Sequence, residues 1–105
     1  MMKISYTPAA LADLREINAY ISEELKNPIA AKNIVSKIIG NISNLSPFPE
    51  MGFSLSERID RETEYRCLIC ENHIVFYLVK PSGVIIERIL DARTDYMQII
   101  FHTAL

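Results

Sequence analysis

The hydrophobic pattern changes period partway along the chain, and that change constrains the fold more than any other feature. Up to Leu45 the apolar residues recur at helical spacing, whereas from Tyr65 onward they gather in short β-prone runs separated by turn residues. A helical segment followed by a strand-rich one predicts an α+β domain, with the helices covering an apolar sheet face. The chain has 105 residues, half of them hydrophobic. That is enough for one core and too little for two, so a single domain spanning 1–105 is expected.

One local device starts both helices. A short β-prone segment, Lys3 to Tyr6, ends at Thr7-Pro8, where Thr7 can cap a helix and Pro8 occupies the first turn, in which a missing N–H costs nothing. Ala10, Leu14, Ile17, Ile21 and Leu25 then form an amphipathic stripe, with Asp13, Glu16, Glu23 and Glu24 assigned largely to the other side. Asn27-Pro28 repeats the device ahead of Ala31, Ile34, Val35, Ile38, Ile42 and Leu45. So short a connection predicts an antiparallel helical hairpin. Within it, Gly40 is read as a point of close helix contact, and Ser46-Pro47-Phe48-Pro49 as the stop.

Between Glu50 and Glu64 periodicity is lost, and a loop with a short edge strand near Arg58 is expected. Strands come next at Tyr65 to Cys70, His73 to Val79 and Val84 to Leu90, with turns at Glu71-Asn72 and Pro81-Ser82-Gly83, which makes an antiparallel meander. Asp95 to Phe101 can add a short terminal helix.

The chemistry-bearing residues are few. Cys67 and Cys70 would point to opposite sheet faces and read as two buried thiols rather than a redox or zinc pair. Phosphate-cradling glycine loops, H-E-x-x-H and nucleophile elbows are absent from the sequence, so neither a metal nor a cofactor is expected. A formal net charge of -2 gives no global drive toward nucleic acid, and any such activity needs a local cluster. With no signal peptide and no apolar run long enough to span a bilayer, a cytoplasmic protein is expected.

Arginine is concentrated late, at Arg58, Arg61, Arg66, Arg88 and Arg93. Arg58 and Arg61 sit among Asp60, Glu62 and Glu64, and Arg88 follows Glu87, so these three read as surface ion pairs. Arg66, inside an apolar strand, must face water, a carboxylate or a ligand, and Arg93 lies beside Asp95 and Tyr96. For these two a structural and a functional role stay open. His73 and His102 read as ordinary surface or core histidines, and Tyr6, Tyr20, Tyr65 and Tyr77 as core or interface aromatics.

The run Tyr6-Thr7-Pro8-Ala9-Ala10, Asp13-Leu14, Ile17, Tyr20-Ile21, Asn27-Pro28, Ala30-Ala31 and Pro49-Glu50-Met51-Gly52 resembles the RelE/ParE superfamily of toxins from bacterial type II toxin-antitoxin pairs. The second half, with Tyr65-Arg66-Cys67-Leu68, Ile74-Val75-Phe76-Tyr77 and Ile89-Leu90-Asp91-Ala92-Arg93-Thr94-Asp95-Tyr96, resembles it in the same order. The resemblance implies a small α+β fold, plasmid-stabilization biology, and a cognate antitoxin that wraps the toxin and can bridge two copies into a hetero-oligomer.

It also implies one of two activities. RelE-like members are mRNA interferases, endoribonucleases that cut ribosome-bound mRNA without metal, whereas ParE-like members bind DNA gyrase. For the hydrolase reading, Arg66 and Arg93 match phosphate-stabilising arginines in one pocket, and Tyr96 or His102 matches the acid-base residue. Because all these types are present, the nuclease is the first expectation, with the gyrase inhibitor and an inactive antitoxin binder as alternatives. Two departures bear on the choice. Residues 47 to 64 contain no lysine, and Asp91 stands where many relatives have histidine.

Overall fold

The computed structural model describes residues 1–102. Its elements are β1 (Ile4–Tyr6), α1 (Pro8–Ala19), α2 (Pro28–Ser43), β2 (Phe53–Ser54), β3 (Arg66–Cys70), β4 (His73–Lys80), β5 (Gly83–Asp91) and α3 (Tyr96–Phe101). The expected α+β architecture of helical hairpin, sheet and short last helix is the one observed.

Both helix starts form as the side chains dictate. Thr7 Oγ1 accepts from the Ala10 N–H at 3.0 Å and Asn27 Oδ1 accepts from the Ala30 N–H at 3.1 Å, with a proline opening each helix. At the far end of α1 the backbone widens into a π-helical turn, Tyr20–Glu24, closed by Leu25 N–H to Tyr20 O at 3.1 Å. The wider turn rotates the residues beyond it, so Ile21 stays buried while Leu25, expected on the core stripe, is 57% exposed. Lys26, at φ 52°, then reverses the chain.

The sheet order is β1-β5-β4-β3-β2. β3, β4 and β5 form the expected meander, and β1 adds parallel to β5, with Ile4 opposite Val84 and Tyr6 opposite Ile86. β1 approaches β5 so closely that a Cβ on Gly83, whose φ is +142°, would collide with the Lys3 carbonyl. A bulge in β5 puts Arg88 opposite Phe76 and Ile86 opposite Tyr77, leaving Glu87 without a facing residue.

Each sheet face has its own core. Under the helices lie Ala10, Ile38, Ile42, Leu45, Cys70, Val75, Tyr77, Val84, Ile86 and Ile89. On the reverse face Leu55, Cys67, Phe76, Leu90 and Ile100 are covered by α3 and the loop before β3. At about 1.5–3 kcal/mol for each large apolar side chain removed from water, these two layers supply the main drive to fold. Cys67 and Cys70 fall in different layers, as expected of strand residues three apart, and both are free thiols.

Two local expectations need correcting. Gly40 marks no helix contact, since a Cβ placed there meets nothing within 4 Å among the described residues. The edge strand lies at Phe53–Ser54 rather than near Arg58, where a short 3-10 turn, Leu55–Glu57, ends. Only Phe53 and Ser54 have partners on β3, because the chain must turn inward at once to bury Leu55. No helix among the described residues is long and apolar enough to cross a membrane.

Candidate functional site

A groove of about 680 Å³ opens where the helical hairpin overhangs the ends of β4 and β5. Ile17, Ile21, Ile34, Ile89 and Ile99 give it apolar walls, and Tyr20 and Leu25, 55% and 57% exposed, stand at its rim. The π-helical turn places them there, because it keeps Ile21 inward while swinging its neighbours out.

An ion pair lines one side. Asp13, 5% exposed, accepts from Arg88 Nε and from an Arg88 terminal nitrogen, each at 2.8 Å. It also accepts from the Ile89 N–H at 2.8 Å. This N–H lies on the part of β5 that β1 does not reach. Pairing with β1 stops at Ile86, Thr7 bonds the Ile86 and Glu87 carbonyls, and the Asp13 carboxylate then takes the next free donor. Asp13 was expected off the core stripe of α1. It is buried there because a strand edge needs an acceptor. The carboxylate holds the Arg88 guanidinium above its ordinary pKa.

At the groove's other end His73, Asp91 and Arg93 meet. Arg93 grips Asp91 through Nε and a terminal nitrogen, both at 3.0 Å, and its backbone N–H adds a third bond at 2.8 Å. These bonds hold the Asp91 carboxyl down at about 2. His73 faces Asp91 across the β4–β5 ladder, and its buried Nδ1 has no partner among the described residues. Burial pushes its pKa below the usual histidine range, partly offset by Asp91.

Arg66 lies elsewhere. Its terminal nitrogen donates to the Gly52 carbonyl at 2.7 Å and to the Glu50 carbonyl at 3.2 Å. Beside it the Tyr77 hydroxyl donates to the Pro49 carbonyl at 2.9 Å and accepts from the Gly52 N–H at 3.1 Å. The two side chains pin the segment that links α2 to β2. In the ladder Arg66 faces Tyr77, whereas Asp91 faces His73, the partner of Cys70. The length of β3, about 13 Å of strand, therefore separates Arg66 from the row that leads to Arg93.

The expected common pocket for Arg66 and Arg93 does not form. Tyr96 opens α3 on the reverse face, its ring 5.3 Å from that of Phe76, so sheet backbone stands between it and Arg66. His102 is exposed at the end of α3 with φ 53°. The groove brings together Arg93, Asp91, His73 and the Asp13–Arg88 pair, and the four residues singled out from sequence are not assembled.

The other arginines also differ from expectation. Arg88 bonds Asp13 rather than its neighbour Glu87. Arg58 lies over the Phe53 ring at 4.2 Å and Arg61 over Phe101 at 3.9 Å, since rings from the reverse-face core reach the surface beside them. Sequence reasoning missed the roles of Asp13 and Tyr77. An acid one residue before Leu14 of the apolar stripe was the available signal for the first, and nothing local marked the second.

The groove has apolar walls, and the two arginines that line it are bonded, Arg88 to Asp13 and Arg93 to Asp91. A family model described as the ParE toxin of the type II toxin-antitoxin system, parDE, matches residues 4–96. A solved structure described as the chromosomal ParDE TA system from P. aeruginosa is similar, with a TM-score of 0.71 and 26% identity. The match covers 87% of this chain and 96% of that one. Among curated proteins none matches.

Proposed function

The chain belongs to the family of ParE toxins of type II toxin-antitoxin systems, and on that premise we propose that it acts by binding DNA gyrase, while a cognate antitoxin laid in the groove keeps it silent. The observation that carries this reading is the separation of the arginines. Metal-independent RNA cleavage needs cationic donors around one phosphate and an acid-base group beside it. Here Arg66 is spent on backbone carbonyls, Arg93 on Asp91, and Tyr96 packs on the opposite face. A binding toxin needs none of them assembled.

The groove suits an antitoxin segment that orders as it docks. Isoleucine walls reward burial of an apolar stripe, and Tyr20 and Leu25 gain most from being covered. A dimeric antitoxin would bridge two such toxins.

Expression without the antitoxin tests the proposal. A gyrase binder induces the SOS response and blocks supercoiling by purified gyrase, with translation continuing at first. Immediate arrest of translation with cleavage of ribosome-bound mRNA, lost in Arg66→Ala or Arg93→Ala, would instead establish the endoribonuclease reading. Antitoxin binding with neither effect would identify an inactive member.

A further inference from the structure

The far end of β5 is a strand edge on which backbone groups are left over. The Ala92 N–H bonds the Asn72 carbonyl at 2.8 Å, which continues the ladder in which Asp91 faces His73. Antiparallel pairing alternates along a strand, so Leu90 and Ala92 turn their N–H and C=O toward β4, and Ile89 and Asp91 turn theirs outward. The Ile89 N–H, which reaches the Asp13 carboxylate, obeys this alternation. Pairing with β1 ends at Ile86, so among the described residues no strand covers the outward groups.

The fold itself uses only part of this edge. Asp13 takes the Ile89 N–H at 2.8 Å, and the Thr94 N–H takes the Asp91 carbonyl at 2.9 Å. The Ile89 carbonyl and the Asp91 N–H have no partner among the described residues. Ile89 is 1% exposed, so water does little to compensate its carbonyl. Which groups remain decides what fits. A strand added antiparallel needs both groups of one residue, and Ile89 and Asp91 have each lost one. A strand added parallel needs the carbonyl and the N–H that flank Leu90, and both are free. β1 uses the same pattern earlier on β5, where the Val84 N–H bonds the Lys3 carbonyl at 2.8 Å and the Thr7 N–H bonds the Ile86 carbonyl at 3.0 Å.

The surroundings agree with an added strand. The groove bordered by this edge is lined by Ile17 and Ile34, which pack on the helix-side core, and by Leu90 and Ile99, which pack with the reverse-face core. Side chains of a strand point alternately to the two faces of a sheet, so a strand here meets both sets. A helix in the same place leaves both groups of β5 unmatched, because its own backbone is bonded internally.

We propose that the antitoxin segment held in the groove is extended where it meets β5 and adds to the sheet parallel to that strand. Its residue beside Leu90 donates its N–H to the Ile89 carbonyl and accepts from the Asp91 N–H. The side chain of that residue lies with Leu90 and Ile99, and those before and after it face Ile17, Ile21 and Ile34. By consuming the Ile89 N–H, Asp13 excludes the antiparallel arrangement. This rests on the reading that the groove takes the antitoxin, and it adds the conformation, direction and register of the occupant.

The test is NMR of the intact, isotope-labelled toxin, free and bound to its cognate antitoxin. Hydrogen exchange at the Asp91 amide should be fast in the free toxin and at least about tenfold slower in the complex. Carbon shifts of the bound antitoxin segment should be those of extended backbone, with cross-strand proton contacts in parallel register to Leu90. Asp91→Pro removes the N–H at an outward-facing position where proline is tolerated, and Asp91→Ala removes the side chain alone. The proline variant should bind antitoxin about tenfold more weakly than the alanine variant. The exchange measurement decides the matter even if the proline variant fails to fold. Methyl shifts of Ile17, Ile21 and Ile34 report the underlying reading. If these methyls shift while Asp91 exchange stays fast, or the bound segment is helical or antiparallel, the proposal is overturned and groove binding stands. If they do not shift, the antitoxin docks elsewhere and both readings fall.

Discussion

The Asp13 carboxylate and the Arg88 guanidinium, 75 positions apart, meet through two hydrogen bonds of 2.8 Å, and the same carboxylate receives the Ile89 N–H. One side chain of α1 thus closes the edge of β5 and neutralises a cation beside the groove. Removing it leaves two kinds of donor unmatched. Asp13→Ala should cost about 3 kcal/mol in urea unfolding, the usual scale for breaking a largely buried pair. Arg88→Met should cost at least as much, since it leaves the buried Asp13 carboxylate without its counter-charge. The double variant should be more stable than the two losses added together.

Gly52→Ala should destabilise by about 2–3 kcal/mol, because its Cβ collides with backbone that cannot move without breaking the β2–β3 pairing. Proteolysis between Pro47 and Ser54 should rise sharply in this variant and stay low in Gly40→Ala, whose Cβ meets nothing.

Stability should fall with acid in two stages. His73 has a lowered pKa in the fold, so the unfolded chain binds the extra proton first. Its contribution is present above the ordinary histidine value of about 6.5 and lost as pH falls through the lower folded value. Asp91 behaves similarly further down, its contribution being present above about 4 and lost as pH falls to about 2. Melting temperatures recorded from pH 7.5 to 5 should show the histidine stage, and His73→Phe should flatten it.

Cys67 is 1% exposed, and burial pushes its thiol up to about 12. Iodoacetamide at pH 8 should leave it unmodified in the folded protein and label it once denaturant exposes the reverse-face core, as mass spectrometry would show.

What the sequence made legible is what short-range physics controls. Thr7-Pro8 and Asn27-Pro28 cap helices because the interaction lies within three residues, and the runs around Leu68, Val75 and Ile86 are nearly unbroken in apolar character because both faces of the sheet are covered. The parallel placement of β1, the burial of Asp13 and the clamp by Tyr77 join residues far apart in the chain, and no local pattern encodes them. Arg66 and Arg93 were matched to family positions by type, and type does not report that each has a bonding partner within its own chain. The π-helical turn was hidden because Ile21 and Leu25 fit the spacing of an α-helical stripe equally well.

Among the described residues the edge strand β1 neighbours β5 alone, and the Thr7 hydroxyl reaches the Glu87 carbonyl across 80 positions. During synthesis the first strand and α1 therefore emerge long before the surface they belong to. Val84, Ile86 and Ile89, which floor the space under the helices, are made long after α1, and closing such a long loop is slow relative to forming a hairpin. A nascent chain that lacks β5 accordingly has neither a completed sheet nor a groove, so whatever the groove holds can dock only after β5 has been made.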